Sequence, residues 1–340
     1  MAELIVHRPG PACTVQDMGR PGFLEHGLSR GGAMDVQALA EGAALLGQAP
    51  GLAALEMAGT GAVFEARGDL RIALTGAAMQ AAIDGAAVAW NASHPLWAGQ
   101  RLRIGAVRTG NYGYLHLGGG IGTEARMGSR SVHLAAGIGR ALRDGDVLPA
   151  GEDGCARTGL TLDVTDRFGG GTVRIVESFQ TGLFARPVRE RFEATEFRRG
   201  RRANRMGMEL EFQGEGFAAR QQLNILSEVI VPGDIQMAGD GRPFVLMPEC
   251  QATGGYPRIG TVIPCDLGMV AQAPEGAPLR FRFVGLDEAL AAQAAHEAAL
   301  NRLPAALCPL VRDVADIPDL LSYQLIGGVI SASDGDGGQQ

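Results

Sequence analysis

The sequence predicts a mainly β fold with peripheral helices, organised as two tandem domains. Three observations carry that expectation. The 340 residues exceed what one hydrophobic core usually organises. The 51 glycines and 17 prolines favour short strands and tight turns over long helices. Short apolar runs bounded by Gly, Asp or Asn recur along both halves.

In the first half the runs are ELIVHR, AVFEA, LRIALTG, AAVAW, RLRIG and YGYLHLGG. The run GGGIG lacks the full phosphate-loop pattern and a following helix, so it reads as a strand end. One helix is expected over AMDVQALAEGAALLG, where Met34, Leu39, Ala43 and Leu46 repeat at helical spacing and Gly47 supplies a stop. Gly-rich sequence over 151–172 separates the halves. This places a first domain at 1–160, a linker at 161–172 and a second domain at 173–286.

The second half resumes with VRIVES, MELEF, LNILSEVIV, FVLMP, RIGTVI and LRFRFVG. Residues 287–340 read as a C-terminal helix and a disordered tail, SASDGDGGQQ. That helix carries a stripe of Leu286, Leu290, Ala294 and Leu300, with Arg302 at its favourable end. The halves also share a weak likeness, GLSRGGAMD against VIVPGDIQMAGDG. Two related β domains account for it, and so does chance in a Gly- and Ala-rich chain.

No lysine occurs, and all 30 basic residues are arginine. A Walker-A loop, a Schiff-base amine and an attached biotin all need lysine, so none belongs to this chain. The net charge of −7 gives no reason to expect nucleic acid, and the basic run EFRRGRRANR reads as a solvated loop. Five scattered cysteines without a CxxC suit a reducing compartment. With no signal-like N-terminus and no apolar run near the ~20 residues of a membrane span, a cytoplasmic protein is expected. The six histidines show no metal-ligand spacing, so no metal is expected.

Candidate chemistry lies in clusters where glycine makes room for polar side chains. Arg20 sits between Gly19 and Pro21, where a guanidinium could grip a carboxylate or phosphate or tie the turn to carbonyls. Gly31 and Gly32 precede the first helix, where free N–H groups favour an anion, and Asp35 is placed either to act or to cap. Ser129 with Arg130, Asn204 with Arg205, Glu228 with Gln236, and QATGGYPRIGTV (251–262) complete the set. Such sites suit a planar polar group: an amide, a carboxylate or a phosphate.

Five ordered stretches then carry a resemblance: TVQDMGRPGFLEHGLSRGGAMD, MGSRSVHLAAGIGRALRDGD, ANRMGMELE, ILSEVIVPGDIQMAGDGRPFVL and QATGGYPRIGTVIPCDLG. Over about residues 4–285 the chain resembles the biotin-dependent carboxyltransferase family. That family includes the C-type component of 5-oxoprolinase, KipA-like antagonists and the urea amidolyase-related carboxyltransferases (also called allophanate hydrolase subunit 2). The resemblance implies two tandem cyclophilin-like β-barrel domains. It also implies a KipI-like B-type partner (allophanate hydrolase subunit 1), with an A-type protein joining in the oxoprolinase branch.

The implied activity is ATP-dependent opening of 5-oxo-L-proline to L-glutamate, with ATP as co-substrate of the complex. The alternatives are biotin-dependent carboxyl transfer to urea or another amide with a separate carrier, or a regulatory binding role. Carried onto this chain, the resemblance puts Asp35, Glu228 and Arg258 in catalytic roles. Arg20, Gly31, Gly32, Ser129, Arg130, Asn204, Arg205, Gln236, Gln251, Thr253, Gly254, Gly255 and Tyr256 would line a substrate cleft. Ser29 and Gly31 depart from the Pro and Ser of the family's pattern before AMD, which leaves the particular lactam or amide open.

Overall fold

The computed structural model describes residues 2–219 and 226–311. The disordered-tail expectation falls outside them. The first half forms two packed sheets. One holds strands Glu3–His7, Val63–Arg67, Met79–Ile83, Ala86–Ala87, Arg101–Val107 and Val147–Pro149. The other holds Cys13–Gln16, Ala54–Ala58, Leu70–Gly76, Ala92–Leu96, Tyr112–Leu117 and Leu160–Thr161, with Cys308–Pro309 at its edge. The strands of the first sheet alternate, Glu3–His7 burying Leu4 and Val6. Strand Leu70–Gly76 is buried throughout, as a strand with a sheet on one face and a helix on the other must be.

That helix is α1, Val36–Leu46. Asp35 is its N-cap, accepting from Ala38 N, and Gly47 closes it in the left-handed conformation at φ 61°. Its Gly42 lies against the His116 ring so closely that a Cβ there would stand 2.3 Å from the ring. The helix therefore docks on the sheet only because position 42 has no side chain.

The second half closes into a seven-stranded barrel of Gly171–Val176, Phe197–Ala203, Gly207–Glu211, Asp234–Met237, Pro243–Leu246, Arg258–Val262 and Pro278–Phe283. Six pairings are antiparallel, and Gly171–Val176 runs parallel to Pro278–Phe283. Phe192, Phe197, Phe217 and Phe281 fill its interior, with centroids 4.9–5.7 Å apart. The barrel core runs without a break into Met34, Leu39, Tyr112 and Tyr114 of the first half.

The mainly β class is as expected, but among the described residues only the second half closes a barrel. The basic run is a correction. Arg198–Arg202 lie within barrel strand Phe197–Ala203, where Phe197 and Gly200 are buried and the register shifts between Arg199 and Ala203. Two helices went unread in the sequence, α2 (Arg186–Ala194) and α3 (Pro264–Gln272). Each starts with Pro in its first turn and is too short for a clear period. The C-terminal helix α4 spans Leu286–Arg302, but most of its expected stripe faces outward, with Leu300 half-buried at the cleft. Leu286 and Leu290 are 68% and 59% exposed, and Ala289 is the buried residue.

Candidate substrate cleft between the two halves

Two buried ionic centres join the halves, and a third lies within the second half. In the first, Arg205 donates to Glu249 at 2.5 Å, to Glu56, and to the Gly32 carbonyl. Glu56 also accepts from Tyr114 Oη (2.6 Å) and Met34 N (2.8 Å). Burial by itself lowers the Arg205 pKa, yet Glu56 and Glu249 outweigh it and hold the guanidinium above its ordinary value. In the second, Arg167 donates to Asp35 (2.8 Å) and forks onto Glu41 (2.9 Å to each oxygen), while Gln272 Nε2 donates to Asp35 at 2.8 Å. In the third, Arg258 donates to Glu228 (2.6 Å), Asp234 (3.3 Å) and the Val229 carbonyl (2.8 Å).

These contacts dispose of several expectations. Asp35 is fully buried as a helix cap and ion-pair partner, with both oxygens engaged by the fold itself. The N–H groups ahead of α1 are also taken. Gly31 N donates to the Pro248 carbonyl, Ala33 N to the Asp17 carbonyl, Met34 N to Glu56 and Asp35 N to Tyr114 Oη. Of these acceptors only Glu56 is an anion, and it meets Met34 N rather than Gly31 or Gly32. Ser129 Oγ donates to Asp17 at 2.6 Å, and Arg130 N does the same, leaving the Arg130 side chain exposed. Asn204 Oδ1 closes a turn onto Met206 N and Gly207 N.

The QATGGYPRIGTV stretch lies apart from these residues. Thr253–Gly254 pairs with Glu228–Val229 in a two-residue ladder, and Gln236 Nε2 packs on Gly254, buried and without a partner among the described residues. Gln251, Gly255 and Tyr256 are exposed. The expectation of one cleft lined by all these residues gives way to separate clusters.

A cleft of about 870 Å³ does open between the halves. Its walls come from residues 18–37, Thr165–Arg167, Val231–Pro232, the start of α3 and the Gln293–Leu300 face of α4. Among the expected site residues, Arg20, Gly31 and Asp35 line it. Arg20 is only 1% exposed. Its Nη2 donates to the Ser131 carbonyl and its Nε, at 3.5 Å, to that of Arg126, whereas Nη1 has no partner among the described residues. Burial pushes its pKa down, partly offset by Asp17 and Glu249. Gly31, at φ 63°, stands beside this nitrogen, and a Cβ there would come within 3.7 Å of Nη1 and 3.1 Å of the His133 ring. His133 Nε2 in turn meets Ser29 Oγ at 3.0 Å.

Sequence reasoning missed Glu56, Glu249, Tyr114, Asp17, Arg167, Gln272 and His296. Glu56, a carboxylate inside the apolar strand ALEMA, was the one legible signal, since an unpaired charge there would be costly. His296 lines the cleft from α4, and burial together with Arg167 lowers its pKa, so the imidazole is neutral near pH 7.

A mixed two-half β architecture with an ion-paired seam and a cleft along it defines the class. The family model for the carboxyltransferase domain, subdomain A and B, matches residues 26–283, and the chain belongs to that family. It is 36% identical over 295 residues to the C-type component of 5-oxoprolinase from Escherichia coli (strain K12), covering 85% of this chain and 94% of that protein. The solved structure of TTHA0988 superposes with a TM-score of 0.74 at 31% identity over 83% of this chain, which spans only 56% of that longer chain. The urea amidolyase of K. lactis shares the fold, at TM-score 0.79 and 20% identity, over 92% of this chain and 21% of its own.

Proposed function

We propose that this chain is the C-type component of an ATP-dependent complex that opens 5-oxo-L-proline, or a related lactam, to the amino acid. Its substrate site in this reading is the cleft between the halves. The near-full-length match to the C-type component of 5-oxoprolinase supports it. The observation that carries it is the unpaired Nη1 of Arg20 at the cleft. A buried guanidinium lacking one hydrogen bond favours an anionic ligand. 5-Oxoproline brings a carboxylate to that nitrogen, and urea, being neutral, does not.

ATP is the co-substrate of the whole complex, which needs a B-type and an A-type protein as partners. This chain's share is binding and orientation. Arg20 holds the carboxylate, while neutral His296 is the titratable group on the α4 wall suited to accept a proton from water attacking the ring carbonyl. Mixing the chain with its A- and B-type partners, ATP and 5-oxoproline should release glutamate and ADP. A folded, complete complex that releases neither would defeat the reading. Turnover of urea that depends on a biotin carrier would instead favour carboxyl transfer.

A further inference from the structure

The cleft is much larger than a five-membered lactam. At about 870 Å³ it lies toward the upper end of sites that enclose drug-sized ligands. Two buried polar atoms of its lining residues lack partners among the described residues, Arg20 Nη1 beside Gly31 and Gln293 Oε1 on α4. Much of the remaining wall is apolar, including Met18, Pro21, Leu24, Leu28, Met269 and Leu300. Leu300 belongs to α4, which lies beyond the span shared with the family model, so part of this wall is contributed by sequence outside residues 26–283.

We infer that the cleft takes a lactam or amide carboxylate bearing an apolar substituent, the carboxylate on Arg20 and the substituent against the apolar lining that includes Leu24, Leu28, Met269 and Leu300. The inference rests on the reading of this cleft as the substrate site and names the class of substrate within it. A small polar lactam would leave the apolar wall in contact with water. A substituent of benzyl size would cover that wall and gain roughly the transfer free energy of its buried surface. The guanidinium supplies the head-group requirement and the apolar wall the size requirement, and the two can be tested separately.

The test is calorimetric titration of the full chain with three probes: 5-oxoproline, N-benzyl-5-oxoproline and the carboxamide of the benzyl compound. The benzyl carboxylate should bind at least about tenfold more tightly than 5-oxoproline, and its neutral carboxamide about tenfold more weakly than its carboxylate. Arg20→Met should erase the preference for carboxylate over carboxamide. Should that variant fail to fold, Leu300→Asp on the half-buried face of α4 should close the gap between the two carboxylates. Equal or weaker binding of the benzyl compound, or a carboxamide that binds as well as the carboxylate, overturns the inference. A complete complex that releases glutamate from 5-oxoproline while the chain binds no benzyl compound would overturn it and leave the oxoprolinase reading intact. Tight benzyl-carboxylate binding with no glutamate release would support the inference and sink that reading.

Discussion

Arg205 and Arg20 are both buried guanidinium groups at the junction of the two halves, and they are held in opposite ways. Arg205 meets two carboxylates and a carbonyl, and those carboxylates are themselves bonded to Tyr114, to Met34 N and to Ala135 N. Arg20 meets only carbonyls and keeps one nitrogen unpaired among the described residues. Opposite charge raises the pKa of the first, while burial lowers that of the second. The same seam thus satisfies one buried cation fully and another only in part.

The largest effect expected from breaking this contrast is on stability. Arg205→Met strands Glu56 and Glu249 as buried uncompensated charges, and unfolding by denaturant should show a loss of about 3–5 kcal/mol. Arg20→Met removes two hydrogen bonds to carbonyls and a cation near Asp17 and Glu249, and should cost less, about 1–2 kcal/mol. Its main effect should be on turnover of the reconstituted complex, measured as a rise in KM for the carboxylate substrate. Equal stability losses in the two variants would erase the distinction.

Glu249 sharpens the contrast because it serves both groups, accepting from Arg205 and Ala135 N while its charge reaches Arg20. Glu249→Gln should therefore cost less stability than Arg205→Met yet still raise KM, which paired denaturation and rate measurements would reveal.

The smallest effect concerns a region outside both arginine centres. His116 is fully buried, and burial lowers its pKa to about 3, so the folded state refuses a proton that the unfolded chain accepts near pH 6.5. Stability should fall as pH drops from about 6.5 toward 3, by no more than ~1.4 kcal/mol per pH unit from this group. A His116→Gln variant should flatten that slope. An unchanged slope would mean that other buried groups, such as those of the seam, dominate the acid response.

How much was legible in the sequence follows from the range of each interaction. The first helix could be read in full, because Asp35, the 3.6-residue repeat and Gly47 all act within a few residues. Many strands were legible as short apolar runs bounded by turn residues, but Cys13–Gln16, Ala54–Ala58, Met79–Ile83 and Ala92–Leu96 went unread, and the Phe197–Ala203 strand was misread because its charges outnumber its two buried residues. The face of α4 was misassigned because a stripe of alanine and leucine does not say which side meets the core. The site was least legible. Arg20 and Gly31 were candidates, but nothing local distinguished them from Ser129, Asn204 or Asp35, whose polar groups the fold uses internally.

The sequence by itself determined the β-rich class, the capped first helix, and the lack of any lysine to carry biotin or grip a nucleotide. Only the tertiary structure decided which arginine is fully paired and which is not. Arg205 finds Glu56 across 149 positions of chain and Glu249 across 44, whereas Arg20 Nη1 finds no partner among the described residues. A buried charge takes its meaning from the groups within about 4 Å, and folding, not sequence proximity, brings those groups together.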